Sequence, residues 1–123
     1  MLAIALLAGP AYAQSGEDYV VRFTGFLGDL RFGSDDLRAE LSGEEGETAQ
    51  VAVALDTDAT ASFAQFSRTH LNQTVTMFIC GVEVARPSIS AEITSGFAIS
   101  DPLNRDLALV MVDALNGLGA CPE

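Results

Sequence analysis

The stretch Thr74-Val-Thr-Met-Phe-Ile-Cys-Gly-Val-Glu-Val-Ala-Arg-Pro87 decides how this chain is organised. Alternate residues from Val75 to Ile79 are apolar, which is typical of a strand with one buried face, because successive side chains in a strand point to opposite sides. Cys80-Gly81 then supplies a two-residue turn, and Pro87 ends the returning strand because proline has no N–H for the ladder. The stretch therefore predicts an antiparallel β-hairpin.

A strand and an amphipathic helix are predicted immediately upstream of this hairpin. The strand covers Gln50–Leu55, where apolar and smaller or polar residues alternate. Asp56-Thr-Asp58 can cap a helix that continues to about Leu71, since a carboxylate accepts hydrogen bonds from the free N–H groups of the first turn. Its apolar stripe at helical spacing consists of Ala59, Phe63, Phe66 and His70.

Downstream of the hairpin, the sequence predicts a loop, a short strand around Gly96–Ile99 and a last helix. Ser100 or Asp101 is the expected cap, and Pro102 suits the first helical position because its missing N–H needs no partner there. Asn116-Gly117 is the expected left-handed stop. The apolar stripe of this helix consists of Leu103, Leu107, Val110, Met111, Ala114 and Leu115.

The first third of the chain is less regular. Tyr19–Phe23 predicts a strand, Leu27–Phe32 either a second strand or an irregular loop, and Ser34–Leu41 a helix of about two turns capped by Ser34. Together the segments predict an α+β fold. We expect an antiparallel sheet of about four to five strands with two amphipathic helices packed on one face.

The N-terminus resembles a targeting segment. Leu2–Ala8 is apolar but too short to cross a bilayer, and Ala11-Tyr12-Ala13 has the small residues that signal peptidase requires. We therefore predict a signal peptide at 1–13, a single mature domain at 14–123 and a periplasmic location. A short buried strand or helix is the alternative. No later apolar run is long enough to predict membrane insertion after signal removal.

The charge balance narrows the class of partner. The chain has 17 acidic residues against six Lys and Arg, all of which are arginine, and a formal charge of −11 at pH 7. Binding to nucleic acid or to anionic lipid would add repulsion, so both are unfavourable. The charge serves either solubility or an acidic docking surface for a basic partner.

Cys80 and Cys121 are the chain's two cysteines, and their spacing matches neither a metal site nor a redox CxxC motif. An exported chain favours a disulfide between them, which would stabilise the fold by about 4 kcal/mol on the chain-entropy model. The alternative is two unpaired thiols. Cysteine is a less favourable turn residue than Asp or Asn, and its presence at position 80 is easier to understand if its sulfur is bonded.

No catalytic, cofactor or metal site is predicted. His70 is the only histidine and lacks an evident nucleophile and orienting partner, so we expect it at a helix end. The acidic residues between Asp35 and Glu47 lack the alternating oxygen ligands of a Ca²⁺ loop. The glycines between Gly25 and Gly33 do not form a nucleotide-binding motif.

From Gly33 to Gly117 the chain resembles the head subdomain of the first periplasmic region of SecD/SecDF, the membrane proteins that assist protein export. The order and spacing of several local motifs carry this resemblance. They are Val53-Ala-Leu-Asp-Thr-Asp-Ala-Thr-Ala-Ser-Phe63, Asn72-Gln-Thr-Val-Thr-Met-Phe-Ile-Cys-Gly81, Val84-Ala-Arg-Pro-Ser-Ile89, Ile93-Thr-Ser-Gly96 and Asn104-Arg-Asp-Leu-Ala-Leu-Val110. The chain departs from the family at three places: Cys80 replaces the hairpin Asp, Arg86 replaces an Ala, and Gly96 stands for a Gly-Gly pair.

The resemblance implies an exported, non-enzymatic interaction module that contacts unfolded or translocating polypeptide, or an envelope protein. No catalytic residue is carried over from the family. We expect the interaction surface in the hairpin and the following loop, at Arg86, Ile89, Ile93 and Phe97. The same residues could instead complete the core. A small periplasmic hydrolase or a ligand-binding accessory protein is the alternative function.

Overall fold

The computed structural model describes residues 19–43 and 46–122. The predicted signal peptide at 1–13 therefore lies outside the described residues. Within them the chain forms eight strands, two α-helices and one 3-10 turn at Ser34–Asp36. In chain order the strands and helices are β1 (Val21–Gly25), β2 (Gly28–Phe32), β3 (Leu37–Ser42), β4 (Thr48–Leu55), α1 (Thr57–Thr69), β5 (Thr76–Ile79), β6 (Val82–Ala85), β7 (Phe97–Ile99), β8 (Leu103–Asn104) and α2 (Arg105–Leu115).

The strands form two antiparallel sheets. Sheet A has the order β2-β1-β5-β6, and sheet B has the order β3-β4-β7, with β8 pairing the start of β4. The predicted α+β class is confirmed. The strands form two sheets of four strands each, whereas one sheet was predicted. Among the described residues, a single backbone hydrogen bond, from the Asp101 N–H to the Val84 carbonyl, joins β6 to the segment after β7. One bond cannot align two strands, so the sheets stay distinct.

Each helix covers the inner side of one sheet. Phe63 of α1 stacks on Phe23 of sheet A with ring centroids 4.7 Å apart. Met111 and Leu115 of α2 are fully buried where that helix packs on β3 and β4. All four residues of the predicted α1 stripe are buried. In α2, Val110 is 41% exposed and Ala108 is buried, because the buried face consists of Ala108, Met111, Ala114 and Leu115 at spacings of three and four residues.

Two predictions about element boundaries are wrong. The two-turn helix predicted at Ser34–Leu41 does not form: only Ser34–Asp36 makes a 3-10 turn, and Leu37–Ser42 pairs along its whole length with β4. The last helix begins at Arg105 and not at Pro102, since Leu103 and Asn104 first pair with β4. The Asn104 side chain caps it, accepting from the Asp106 N–H at 2.9 Å.

The central hairpin forms as the sequence predicts. Cys80 and Gly81 both have positive φ, 54° and 79°, as a two-residue turn between right-handed twisted strands requires. The predicted disulfide is present, joining Cys80 to Cys121 with Cα atoms 5.5 Å apart. It attaches the hairpin of sheet A to the segment that follows α2. Neither of the described helices is long and apolar enough to cross a membrane.

Candidate functional site: the open face of sheet B

The outer side of sheet B is uncovered by either helix. Side chains alternate along each strand, so Val51 and Val53 face the core and are fully buried, while Ala52 and Ala54 point to the other side, where Ala54 is exposed and Ala52 is only 6% exposed. Strand pairing places the outward residues in two cross-strand rows. We call these six residues the open face: Arg38, Ala54 and Phe97 in one row, and Glu40, Ala52 and Ile99 in the other.

The open face contains a shallow cavity of about 490 Å³. Ala52 and Ala54 form its floor, and Phe97 lines the side that belongs to β7. Alanine at both central positions leaves room that a β-branched or aromatic residue would fill. Phe97 is 49% exposed and Ile99 is 40% exposed, so the cavity lies beside uncovered apolar surface.

Gly96 sets the position of β7 against this floor. Its φ is +71°, a conformation that favours glycine, and a Cβ there would collide with the side chain of Thr60 on α1. The Gly96 carbonyl accepts the Leu55 N–H at 2.8 Å. Gly96 thus allows the loop to pass close to α1 and begin pairing with β4.

Carboxylates outnumber cations around the cavity. Asp35, Glu40 and Asp56 line it together with one guanidinium, that of Arg38. Asp56 caps α1 by accepting the Ala59 N–H at 2.8 Å. In the part of the chain that the structure describes, the side chains of Arg38 and Glu40 have no hydrogen-bond or ion-pair partner. The site is therefore apolar in its floor and net acidic at its rim.

The outer face of sheet A is different, because its charged residues pair with one another. Asp29 binds Arg22 at 3.1 Å and Arg31 at 3.5 Å. The Arg22 guanidinium also lies over the ring of Phe78, 5.4 Å from its centroid. Long side chains occupy this surface.

The four residues predicted as an interaction surface lie in different environments. Arg86 is exposed and donates to Glu83 at 2.6 Å, and this hydrogen bond together with the charge of Glu83 raises the pKa of Arg86. Ile89 is 3% exposed and belongs to the core. Ile93 is partly buried, and its N–H donates to Ser67 Oγ at 2.8 Å. Phe97 alone of the four lines the cavity.

Sequence reasoning missed most of the open face. Arg38 and Glu40 fell in a segment predicted to be a helix, so their alternation in a strand went unused. Ala52 and Ala54 were recognised only as the weaker face of a predicted strand. Two alanines alternating with buried valines were the available indication of an uncovered, shallow sheet surface.

His70 has a structural role in this fold. It is 1% exposed, and its Nδ1–H donates to the Phe66 carbonyl at 2.9 Å, since a carbonyl can only accept. Its Nε2 accepts the Leu27 N–H at 3.1 Å. Both ring nitrogens are engaged, which leaves neither available as a general base in this arrangement. No group of three or more metal-ligating side chains occurs among the described residues.

Comparisons with known proteins identify the fold. No protein-family model matches the chain, and no curated protein matches it. Two solved structures do. A structure of SecDF, described as a membrane component that enhances protein export, aligns over 74% of this chain with a TM-score of 0.63 and 19% sequence identity. SecDF in a super-membrane-facing form aligns over the same share with a TM-score of 0.61 and 19% identity.

The fold is SecDF-like. The resemblance predicted from the local motifs is therefore confirmed at the level of the fold, which is what a likeness at this identity shows. This chain spans 41% of the first SecDF chain and 12% of the second. The SecDF-like fold thus corresponds to a part of those proteins.

Proposed function

We propose that this protein is an exported, non-enzymatic interaction module that contacts extended or unfolded polypeptide in a role related to protein export. The open face of sheet B is the observation that carries the proposal. It combines uncovered apolar side chains, a cavity of about 490 Å³ and a net acidic rim on the outside of a SecDF-like fold. This volume falls in the range of about 300–1,000 Å³ that is common for ligand-binding clefts.

The composition of the open face supports a polypeptide ligand. Phe97 and Ile99 offer apolar contact area, whereas Glu40 and Asp35 offer charge to a basic side chain. A flexible segment of unfolded protein presents both kinds of group along one strand. An enzymatic role has less support, since His70 uses both ring nitrogens in structural hydrogen bonds.

A periplasmic location is part of the proposal. The disulfide between Cys80 and Cys121 suits an oxidising compartment, and disulfides are uncommon in the cytosol. A surplus of carboxylates over arginines also disfavours binding to anionic lipid headgroups. The signal peptide predicted at 1–13 would provide the export step.

The test measures binding of a fluorescently labelled, reduced and alkylated basic protein, which stays unfolded, by anisotropy. We expect saturable binding to the wild-type protein. Ala54→Phe should fill the cavity and weaken binding roughly tenfold, a loss of about 1.4 kcal/mol, with an unchanged melting temperature. Ala61→Phe places the same ring on the exposed side of α1 and should bind like the wild type.

The outcomes separate the parts of the proposal. Absence of binding to the wild-type protein would overturn the function itself. Equal binding by the wild-type and Ala54→Phe proteins would show that unfolded polypeptide is held elsewhere on the molecule.

A further inference from the structure

We propose that the free edge of β7 accepts an extended polypeptide segment as an additional antiparallel strand of sheet B. We infer further that the segment carries apolar side chains and a lysine or arginine on the side of the open face. This inference rests on the proposed function, because it specifies how that polypeptide is held.

The hydrogen-bond pattern shows which backbone groups of β7 are free. Leu55 donates to Gly96 and Ser100 donates to Val51, so the hydrogen-bonded pairs between β4 and β7 fall on the even-numbered residues of β7. In an antiparallel ladder such pairs alternate, and the intervening residues point their N–H and C=O groups away from the partner strand. The backbone N–H and C=O groups of Phe97 and Ile99 therefore point away from β4, in the plane of the sheet, at its free edge.

Three of these outward groups have no partner within the described residues. They are the carbonyl of Phe97 and both the N–H and the carbonyl of Ile99. The Phe97 N–H bonds only the nearby Ser95 Oγ, at 3.3 Å. Beyond Ile99 the edge closes, since the Asp101 N–H donates to the Val84 carbonyl. The open length is thus short and has defined ends.

The opposite edge of the same sheet is protected. Asn116 Oδ1 accepts the Ala39 N–H at 2.8 Å, and Asn116 Nδ2 donates to the Ala39 carbonyl at 2.9 Å. The Asn116 side-chain amide thus makes the two hydrogen bonds that a neighbouring strand would make with Ala39, whose backbone groups point away from β4. Unpaired strand edges promote association with other chains, and this protein blocks one edge but leaves the other unpaired.

The free groups specify a polypeptide backbone as the occupant. A residue opposite Ile99 would exchange two hydrogen bonds with it, and the Phe97 carbonyl would accept a third from the residue two positions away. Side chains at these positions would lie on the open face beside Phe97 and Ile99, about 4.8 Å from β7. Backbone bonds supply affinity in such strand addition, whereas alternate side chains supply selectivity.

Charge selects the kind of segment. Asp101 follows Ile99 by two residues, is exposed, and its carboxylate has no partner in the part of the chain that the structure describes. With Glu40 and Asp35 on the same side of sheet B, the surface favours a cationic side chain. A second copy of this chain would instead bring another formal charge of −11 to the interface.

The test uses a synthetic peptide of about ten residues that alternates threonine with valine and replaces one valine by lysine. Two modified versions carry N-methyl groups either on the valine-series residues or on the threonines. The protein is intact and isotopically labelled, so that exchange of the Ile99 amide proton is observed by NMR. Binding of each peptide is measured by anisotropy.

We expect the unmodified peptide to bind and to slow exchange of the Ile99 N–H about tenfold or more. Methylation of the valine series should abolish binding, because those N–H groups face β7, whereas methylation of the threonines should leave affinity unchanged. Replacing the peptide lysine by glutamate should weaken binding roughly tenfold.

The unfolded-protein assay described above is run on the same sample to separate the two proposals. If the unfolded protein binds while both methylated peptides bind equally, strand addition is wrong and the proposed function stands. If neither the unfolded protein nor any peptide binds, both proposals fail. Protection of Ile99 that grows with protein concentration in the absence of peptide would identify a second copy as the occupant and overturn the inference.

Discussion

The outer faces of the two antiparallel sheets differ in their side chains: charged residues pair with one another on sheet A, whereas small and unpaired residues occupy sheet B. On sheet A, Asp29 holds both Arg22 and Arg31, and the Arg31 guanidinium lies over the ring of Tyr19 at 5.1 Å. On sheet B, alanines occupy the centre, and Arg38 and Glu40 have no partner among the described residues. On sheet A both arginines pair with Asp29, although Arg22 Nε has no hydrogen-bond partner within the described part of the chain, whereas sheet B leaves space and unpaired charges beside its alanines.

This contrast is the reason that the proposed function places the ligand on sheet B and not on sheet A. Exposed ion pairs contribute little stability and offer little to a partner, because their charges are already compensated. Uncovered apolar residues beside unpaired charges keep their capacity for contact. The difference arises from side-chain size on neighbouring strands and not from a change of fold.

The largest expected effect concerns the link between the two sheets. The disulfide joins the β5–β6 turn of sheet A to the segment after α2, which packs on sheet B. Replacing Cys80 and Cys121 by serine should lower the free energy of unfolding by about 4 kcal/mol. Urea denaturation of the wild-type protein with and without reductant, compared with the double variant, checks this. An equal midpoint in all three samples would show that the covalent link is dispensable.

The next effect separates core from surface in the loop that follows the hairpin. Ile89 is 3% exposed, so Ile89→Ala should cost about 2–5 kcal/mol through lost burial and a residual cavity. Ile93→Ala is the matched control and should cost less, because Ile93 is only partly buried. Thermal unfolding of both variants provides the comparison. A larger loss of stability for Ile93→Ala than for Ile89→Ala would show that Ile93, and not Ile89, contributes more to the core.

The smallest effect tests the self-compensated face of sheet A. Asp29→Asn removes both ion pairs to Arg22 and Arg31, which are partly exposed. We expect a change of about 1 kcal/mol or less in unfolding free energy and no change in binding of unfolded protein. The same two measurements on Ala54→Phe should show unchanged stability and weaker binding. A loss of binding in Asp29→Asn would move the binding surface to sheet A.

Local sequence patterns predicted the elements whose determinants lie close together in the chain. The hairpin turn at Cys80-Gly81 and the cap of α1 at Asp56 each depend on neighbours a few residues away, and both form. The helix predicted at Ser34–Leu41 is wrong because a serine cap and two aspartates favour a helix only locally. Pairing of Leu37–Ser42 with β4 outweighs that preference, since tertiary contacts routinely override weak propensity.

The candidate site was beyond the reach of the same reasoning. Phe97 was selected from its apolar character, but Ile89 was selected on the same grounds and is buried. The exposure of a side chain depends on which parts of the chain pack over it. This cannot be read from an isolated apolar residue in a predicted loop. Arg38, Ala54 and Phe97 become neighbours only because three separate strands align in one register.

The amino-acid order alone determined the α+β class, the central hairpin, the two amphipathic helices and the resemblance to the SecD head, because periodicity, caps and turn residues act over short distances. Tertiary structure decided that the strands divide into two sheets, that Asn116 protects one edge of sheet B, and that β7 keeps unpaired backbone groups. These features depend on pairing between residues far apart in the chain. Their energies arise only when the whole fold is assembled.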